Sequence, residues 1–312
     1  MAQNGTIVVF GSFVTDLTSR SEGLPVPGQT ILGSSFSSGP GGKGSNQAVA
    51  AHRCGAKVQM VTKVGNDVFA SAVRDFYKEE GMDTSFFFTD PEKATGAALI
   101  MVDEKTGQNI IVVIGGACQN ISAEEVERSR PLIESSSILL LQMEVNFDAL
   151  FAVIKMAHDA GVTVVLNPAP ANKIPANIMT MIDIVTPNET EAKILTGIEV
   201  KTKEDAKKAA EAFFRQGVRQ VVITMGSLGA YANDGQKDEL VPCLPVDVLD
   251  TTGAGDAFNG AFVTALVEGK DLFSALRYGN AGGALSTTKP GTAPAMPFRK
   301  DIDALYRKHY GA

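Results

Sequence analysis

The stretch Ile138-Leu139-Leu140-Leu141, the segment Phe147-Asp148-Ala149-Leu150-Phe151-Ala152-Val153-Ile154-Lys155-Met156-Ala157-His158-Asp159-Ala160 and the run Val162-Thr163-Val164-Val165-Leu166 follow one another in the chain. The first and last are short apolar runs bounded by polar residues or glycine, which read as strands. The middle segment puts Phe147, Leu150, Phe151, Ile154 and Ala157 on one face at 3.6-residue spacing, which reads as a helix. Outward from this unit the same alternation recurs, with strand-like runs at Thr6 to Phe10, Val58 to Val64, Ile182 to Val185 and Gln220 to Thr224. Runs that are continuously apolar belong to strands buried on both faces. The expected fold class is therefore α/β: a doubly wound, mostly parallel sheet flanked by helices.

Two segments break the alternation. Residues 15–40 are rich in Ser, Gly and Pro, and residues 95–114 hold two strand-like runs around Asp103-Glu104-Lys105-Thr106-Gly107-Gln108, the pattern of a hairpin. Together they suit a small β-sheet lid over the strand ends, where α/β proteins bind ligands. No internal repeat, low-complexity tract or long charge block divides the chain, so residues 1–312 read as a single domain.

A chain of 312 residues buries about three quarters of the surface it exposes when unfolded, and 44% hydrophobic with 20% charged residues is a globular composition. A formal net charge of −7 argues against nucleic acid or an anionic membrane as partner. Cys54, Cys118 and Cys243 form no CxxC pair, and His52, His158 and His309 lack metal-ligand spacing. The segment MAQNGTIVVFG has no basic residues ahead of its apolar run, and no uncharged run approaches the ~20 residues of a membrane helix. The expected location is the cytoplasm, or also the nucleus in a eukaryote.

The chemistry is concentrated in Asp250-Thr251-Thr252-Gly253-Ala254-Gly255-Asp256-Ala257-Phe258, ahead of the apolar run Asn259 to Val267. Small residues at a helix start leave backbone N–H groups bare, and these bind anions with the help of the helix dipole. Asp256 would stand beside such an anion hole as a base for an attacking hydroxyl; equally, it could cap the helix. Gly39-Pro40-Gly41-Gly42-Lys43-Gly44-Ser45-Asn46-Gln47-Ala48 is not a P-loop, because Lys43 is followed by glycine. Lys43 and Asn46 offer donors suited to sugar hydroxyls, while the alternative is a hinge turn before a helix near Ser45. Asp16 follows the first strand, where it is either a hydroxyl acceptor or a turn residue. Glu144 ends a buried strand and needs a partner, which a ligand hydroxyl could supply. Asn188-Glu189-Thr190-Glu191 suits Mg²⁺ or an ordinary helix start. Thr224-Met225-Gly226-Ser227-Leu228-Gly229 reads as a turn that a nucleotide could approach.

Taken in this order, these segments resemble the ribokinase family of carbohydrate kinases, also called the PfkB family, over nearly the whole chain. Gly41 to Ala48 and Asp250 to Phe258 are similar to its two signature regions. Asn167-Pro168-Ala169-Pro170-Ala171 and Thr186-Pro187-Asn188-Glu189-Thr190-Glu191 are similar to segments of its ribose-phosphorylating members. The resemblance implies transfer of the γ-phosphate of ATP to the 5-hydroxyl of D-ribose, with deoxyribose, another sugar or a nucleoside as alternative acceptors. It implies Asp256 as base and the amides of Gly253, Ala254 and Gly255 as anion hole. Asp16, Gly42, Lys43, Asn46, Glu144 and Asp256 would hold the sugar; Asn188, Thr224, Gly226, Ser227, Gly229, Gly255 and Asn280 would surround ATP. Glu191 would act on Mg²⁺ indirectly. A monovalent cation, K⁺, would sit at Asp250 and Thr252 with Ser286, Lys289, Gly291 and Ala295. A homodimer formed through the lid is also implied. One departure is Val14, where bacterial members usually carry Asn; it removes a hydroxyl contact and resembles the animal members. Two readings of other classes remain as alternatives: a non-catalytic sugar or nucleotide sensor, which would have no use for Asp256 beside an intact Gly-Ala-Gly, and a dehydrogenase, against which Gly11-Ser12-Phe13-Val14-Thr15-Asp16 follows the first strand in place of GxGxxG.

Overall fold

The computed structural model describes residues 5–311. Its strands are β1 (Thr6–Phe10), β2 (Val14–Ser21), β3 (Ser35–Gly41), β4 (Lys57–Val64), β5 (Phe87–Thr89), β6 (Gly96–Asp103), β7 (Asn109–Ile114), β8 (Ile138–Leu141), β9 (Thr163–Leu166), β10 (Ile184–Val185), β11 (Gln220–Thr224), β12 (Ala230–Asn233) and β13 (Asp238–Val241). Its α-helices are α1 (Lys43–Arg53), α2 (Val68–Glu79), α3 (Ala123–Glu134), α4 (Phe147–Asp159), α5 (Ala176–Met179), α6 (Glu189–Thr196), α7 (Lys203–Arg215), α8 (Ala254–Val267), α9 (Leu272–Ser286) and α10 (Arg299–Tyr310).

The main sheet runs β13-β12-β11-β10-β9-β8-β1-β4-β5. Strands β11 to β5 along this order are parallel, and β12 and β13 extend one edge antiparallel. In β1, Ile7 and Val9 join the hydrophobic cluster on one side, and Val8 and Phe10 join the cluster on the other. In β8, Ile138 and Leu140 face the first cluster, Leu139 and Leu141 the second. Both faces are therefore buried, which is the physical reason for the continuous apolar runs.

Two strands are shorter than their apolar runs. Val162 N–H still donates to Ala157 O, and Ile182 N–H to Met179 O, so both residues close the preceding turn and do not pair in the sheet. The strands β5, β12 and β13 had no clear signal in the sequence. The two irregular segments build a four-stranded sheet, β3-β2-β6-β7, whose β6–β7 hairpin turns at Asp103 with Lys105 N and Thr106 Oγ1 on its carboxylate. At its edge, β7 exposes Ile110, Ile111, Val112, Val113 and Ile114 in succession, each by 43–54%. Among the described residues no helix is long and apolar enough to cross a membrane.

The strand order reverses at β1: the chain leaves it for β4 and β5 on one side, then crosses to β8 on the other. A crevice opens at such a switch point, beyond the carboxyl ends of the strands.

Candidate active site

Five parallel strands end at this crevice, and the residues that follow them are Gly11 and Ser12, Gln142 to Glu144, Asn167, Thr186 to Asn188, and Met225. The second sheet delivers the glycine-rich segment, since β2 pairs with β3 from Val14↔Gly41 outward and β3 runs into α1. Gly42 is the N-cap of α1 with φ of 87°, a left-handed conformation that favours glycine, and the helix starts at Lys43, two residues ahead of the expected start. Ser45 N–H then donates to Ser12 O, fixing α1 against the end of β1. Glu144 is half-buried and its Oε2 accepts from Ser12 Oγ at 2.5 Å and from Lys43 N at 3.0 Å. The partner that Glu144 requires is thus supplied first by the protein, and its second oxygen takes no hydrogen bond from the described residues.

Asp256 does not cap its helix. The N-cap of α8 is Gly253, φ 76°, with no side-chain cap hydrogen bond, and Asp256 stands three positions further on, 6% exposed. Its Oδ2 accepts from Asn46 Nδ2 at 2.9 Å and its Oδ1 from Gln47 Nε2 at 2.9 Å. Asn46 is buried and its Oδ1 has no hydrogen-bond partner among the described residues, so it has an acceptor to offer a hydroxyl. Around the N-terminus of α8, Ala254 N–H donates to Thr251 O at 3.2 Å, and the first bond within the helix is Ala257 N–H to Gly253 O. Of the amides assigned to the anion hole, Ala254's is thus engaged in its own loop, while Gly255's precedes the first intrahelical bond.

Four carboxylates and one ammonium make the electrostatics. Burial pushes the Asp16 carboxyl up to about 6; the Thr292 hydroxyl opposes this, and the charges of Asp256 and Glu144 add to it. Burial pulls the Lys43 ammonium down, but Asp256, Glu144 and Glu191 outweigh it and hold the group above its ordinary value. Burial also raises Glu191, against the Asn188 amide and Lys43. Lys43 alone does not balance these acids, so a polyphosphate held here needs added positive charge.

The remaining expected residues divide into two sets. Asn188 and Glu191 form a reciprocal capping box on α6, with Asn188 Oδ1 accepting from Glu191 N at 2.8 Å and Glu191 Oε2 from Asn188 N at 2.9 Å. The helix-start alternative thus describes their hydrogen bonds, and the same Glu191 lies within the field of Lys43 and Asp256. Thr224 bridges to Asn188, and Gly226, Ser227 and Gly229 form the turn of the β11–β12 hairpin, exposed at Gly226 and Ser227. Asn280 is buried on α9, donating to Pro242 O at 2.7 Å, so its amide nitrogen is committed to the protein. Asp250 accepts from Thr252 N and Gly291 N, and Leu249 N and Asp250 N both donate to Thr287 O, which joins the two loops expected to hold K⁺. One carboxylate among loop carbonyls is a donor set suited to a monovalent cation. Ser286 Oγ and Ala295 are buried, with Ser286 Oγ donating to Gly283 O, and Lys289 is exposed; Lys289 and Ala295 have only backbone oxygens to offer a cation. For Mg²⁺, no cluster of three or more His, Cys, Asp or Glu ligands occurs among the described residues; Asn188 and Glu191 beside phosphate oxygens fit an ion that keeps its waters.

Sequence reasoning missed Ser12, Gln47 and Thr292. Thr292 Oγ1 donates to Asp16 Oδ2 at 2.7 Å and Gln47 sits on the Asp256 carboxylate, contacts between residues far apart in the chain that no local pattern announces.

The family model for pfkB family carbohydrate kinases matches residues 4–299. The ribokinase of Haemophilus influenzae is 40% identical over 296 residues, 95% of this chain and 96% of that protein. The deoxyribokinase of Salmonella typhi is 35% identical over 93% of this chain and 95% of its own length. The structure of Arabidopsis thaliana ribokinase complexed with ribose and ATP superposes with a TM-score of 0.88 at 32% identity, over 96% of this chain and 98% of that one.

Proposed function

The chain belongs to the pfkB family of carbohydrate kinases, and from that premise we propose that it transfers the γ-phosphoryl group of ATP to the 5-hydroxyl of D-ribose, giving D-ribose 5-phosphate and ADP. The observation that carries this reading is the Asp256 carboxylate, oriented by two amide donors beside the glycine-capped start of α8, at the mouth of the crevice. Asp256 takes the proton of the attacking hydroxyl as the oxygen closes on phosphorus. Asp16, Glu144 and the unpartnered Oδ1 of Asn46 accept from other sugar hydroxyls, and Lys43 and Gly42 border the same space. The bare amides at the start of α8, Gly253 and Gly255 among them, receive the charge that develops on the transferring group. Thr224 and the Gly226 to Gly229 turn border the nucleotide, with Asn188 beside them; Asn280 lies behind that site.

Mg²⁺, bound through ATP phosphates near Asn188 and Glu191, would neutralise charge that Lys43 cannot. K⁺ at Asp250 and Thr252, with carbonyls of Ser286, Lys289, Gly291 and Ala295, would fix the loop that leads into Gly253. Residues 1–312 act as one domain in this reading, with 15–40 and 95–114 as its lid. A second copy of the chain would cover the exposed apolar edge of β7, giving a homodimer. The acidic surface and the phosphorylated product suit the cytoplasm.

The test is ADP release with Mg-ATP and KCl over D-ribose, 2-deoxyribose, fructose and adenosine, repeated with K⁺ replaced by a bulky organic cation. Highest kcat/KM on D-ribose, lost without K⁺, is the expected result. The deoxyribokinase relative favours one other reading, a 2-deoxyribose kinase, and preference for that sugar in the same panel would select it.

A further inference from the structure

Gln47 is fully buried on α1, one position beyond Asn46, and its amide is committed at both ends. Nε2 donates to Asp256 Oδ1 at 2.9 Å and to Asn167 Oδ1 at 3.0 Å, while Oε1 accepts from Gln142 Nε2 at 2.6 Å. Asn167 Nδ2 donates to Thr186 O at 2.8 Å, Thr186 Oγ1 donates to Asn259 Oδ1 at 2.6 Å, and Asn259 Nδ2 donates to Gly255 O at 2.8 Å. The path leaves α8 at Asp256, crosses α1 and the ends of β9 and β10, and returns to α8 at the adjacent residue.

The links fix one another's direction. A side-chain amide donates at one end and accepts at the other, and a backbone carbonyl only accepts, so Thr186 O sets the orientation of Asn167, and Asn167 sets that of Gln47. A flipped Gln47 would turn its oxygen on the Asp256 carboxylate and on Asn167 Oδ1, and its nitrogen on Gln142 Nε2. Both ends of the Gln47 and Asn167 amides are partnered, and buried polar groups so engaged favour a single arrangement; the branch ends at Gln142, whose Oε1 has no hydrogen-bond partner among the described residues.

We propose that Gln47 is a positioning residue for phosphoryl transfer: through this closed circuit it holds the Asp256 carboxylate in one orientation toward the acceptor hydroxyl. This rests on the reading of Asp256 as the base. Asn46 performs the same service at Oδ2 but also faces the sugar, whereas Gln47 acts through Asp256 alone.

The test compares the unaltered protein with Gln47→Leu, Asp256→Asn and the double variant, measuring kcat with D-ribose and Mg-ATP and the Kd of D-ribose by calorimetry. Leucine fills the volume of glutamine without either polar end. Gln47→Leu should lower kcat roughly 10- to 100-fold, the scale of a misplaced catalytic group, with Kd changed by less than roughly threefold. In the Asp256→Asn background the same substitution should change turnover by less than roughly threefold, because no base remains to be positioned. An equal loss in both backgrounds would make Gln47 a structural residue and overturn the proposal. Full turnover by Asp256→Asn alone is a different result, and it would sink the base assignment itself. Asn167→Leu leaves Gln47 in place but frees its amide; a loss in the same direction, confined to the Asp256 background, is expected, and this variant decides the matter if Gln47→Leu fails to fold.

Discussion

Asp205 and Asp256 occupy the same position, the third residue, of helices α7 and α8, and they do opposite things. Asp205 turns back on its own helix, accepting from Thr202 N at 3.1 Å and Thr202 Oγ1 at 2.9 Å, while Thr202 Oγ1 accepts from Asp205 N. Asp256 turns away, toward α1. What separates them lies at the N-cap. Thr202 has extended backbone, φ −132° and ψ 168°, which points its N–H along the helix toward the third residue. Gly253 is left-handed, φ 76° and ψ 2°, so its N–H is directed elsewhere and it carries no side-chain oxygen. One helix satisfies its own first turn. The other leaves its first turn without a side-chain cap and frees a carboxylate for chemistry.

The largest effect should come from removing that carboxylate's charge. Asp256→Asn keeps the shape and an acceptor for Gln47 but cannot take a proton, so kcat should fall roughly 10²- to 10⁴-fold. Calorimetry should find ATP and sugar still binding. Near-normal turnover would place Asp256 with Asp205 as a structural acid.

Restoring an ordinary cap should come next. Gly253→Ser puts a side chain where φ is positive, at about 1–2 kcal/mol for a left-handed residue, and its Cβ would meet Met296 Cε at 3.1 Å. Relaxing to extended backbone would relieve both and draw Asp256 back into a capping box. The expected loss in kcat is roughly 10²-fold, comparable with deleting an oxyanion donor, accompanied by a lower Tm because the buried Asn46 and Gln47 amides lose their carboxylate partner. A variant that keeps full activity would show that the bare helix start is dispensable.

The sheet was legible in advance because burial on both faces writes itself into the chain as continuous runs such as Ile138 to Leu141 and Gln220 to Thr224. Where it was not legible, a turn bond had claimed the end of a run, at Ile182, or a strand of three residues, Phe87–Thr89, was too short to have a period. The site was legible to the extent that its residues follow strands or begin helices. Asp256 itself read equally as base or cap, because the third position of a helix is favourable to aspartate in either role. Only the neighbour Gly253 discriminates, and only through its backbone angle. Gln47 and Thr292 were invisible for a different reason, since each finds its partner more than two hundred positions away.

The same contrast extends to proton binding. The Thr202 hydroxyl holds Asp205 below the usual carboxylate range, whereas burial pushes Asp16 up to about 6. Between about 6 and the ordinary carboxylate value, the folded chain binds a proton at Asp16 that the unfolded chain lacks. Asp16 therefore makes the ligand-free protein more stable as pH falls through about 6 and less stable as it rises. Asp16→Asn should raise Tm at pH 8 and flatten this dependence, while the KM for sugar rises roughly tenfold as a charged acceptor is lost. An unchanged pH dependence of Tm, followed by calorimetry from pH 5 to 8, would remove Asp16 from that role. A gain in stability on deleting a carboxylate is what distinguishes a residue kept for binding from one kept for the fold.

The smallest effect belongs to the capped helix. Thr202→Ala removes the hydroxyl that accepts from Asp205 N and leaves the backbone half of the box in place, at a cost of about 1 kcal/mol. In a chain of this length that is about 2 °C in Tm. Because α7 packs through Ala206, Ala209, Ala210 and Phe213 into the cluster away from α8, kcat and both KM values should be unchanged. A fall in kcat without a matching fall in Tm would mean that the first turn of α7 communicates with the crevice, and the division between helix starts that serve the fold and helix starts that serve the reaction would have to be redrawn.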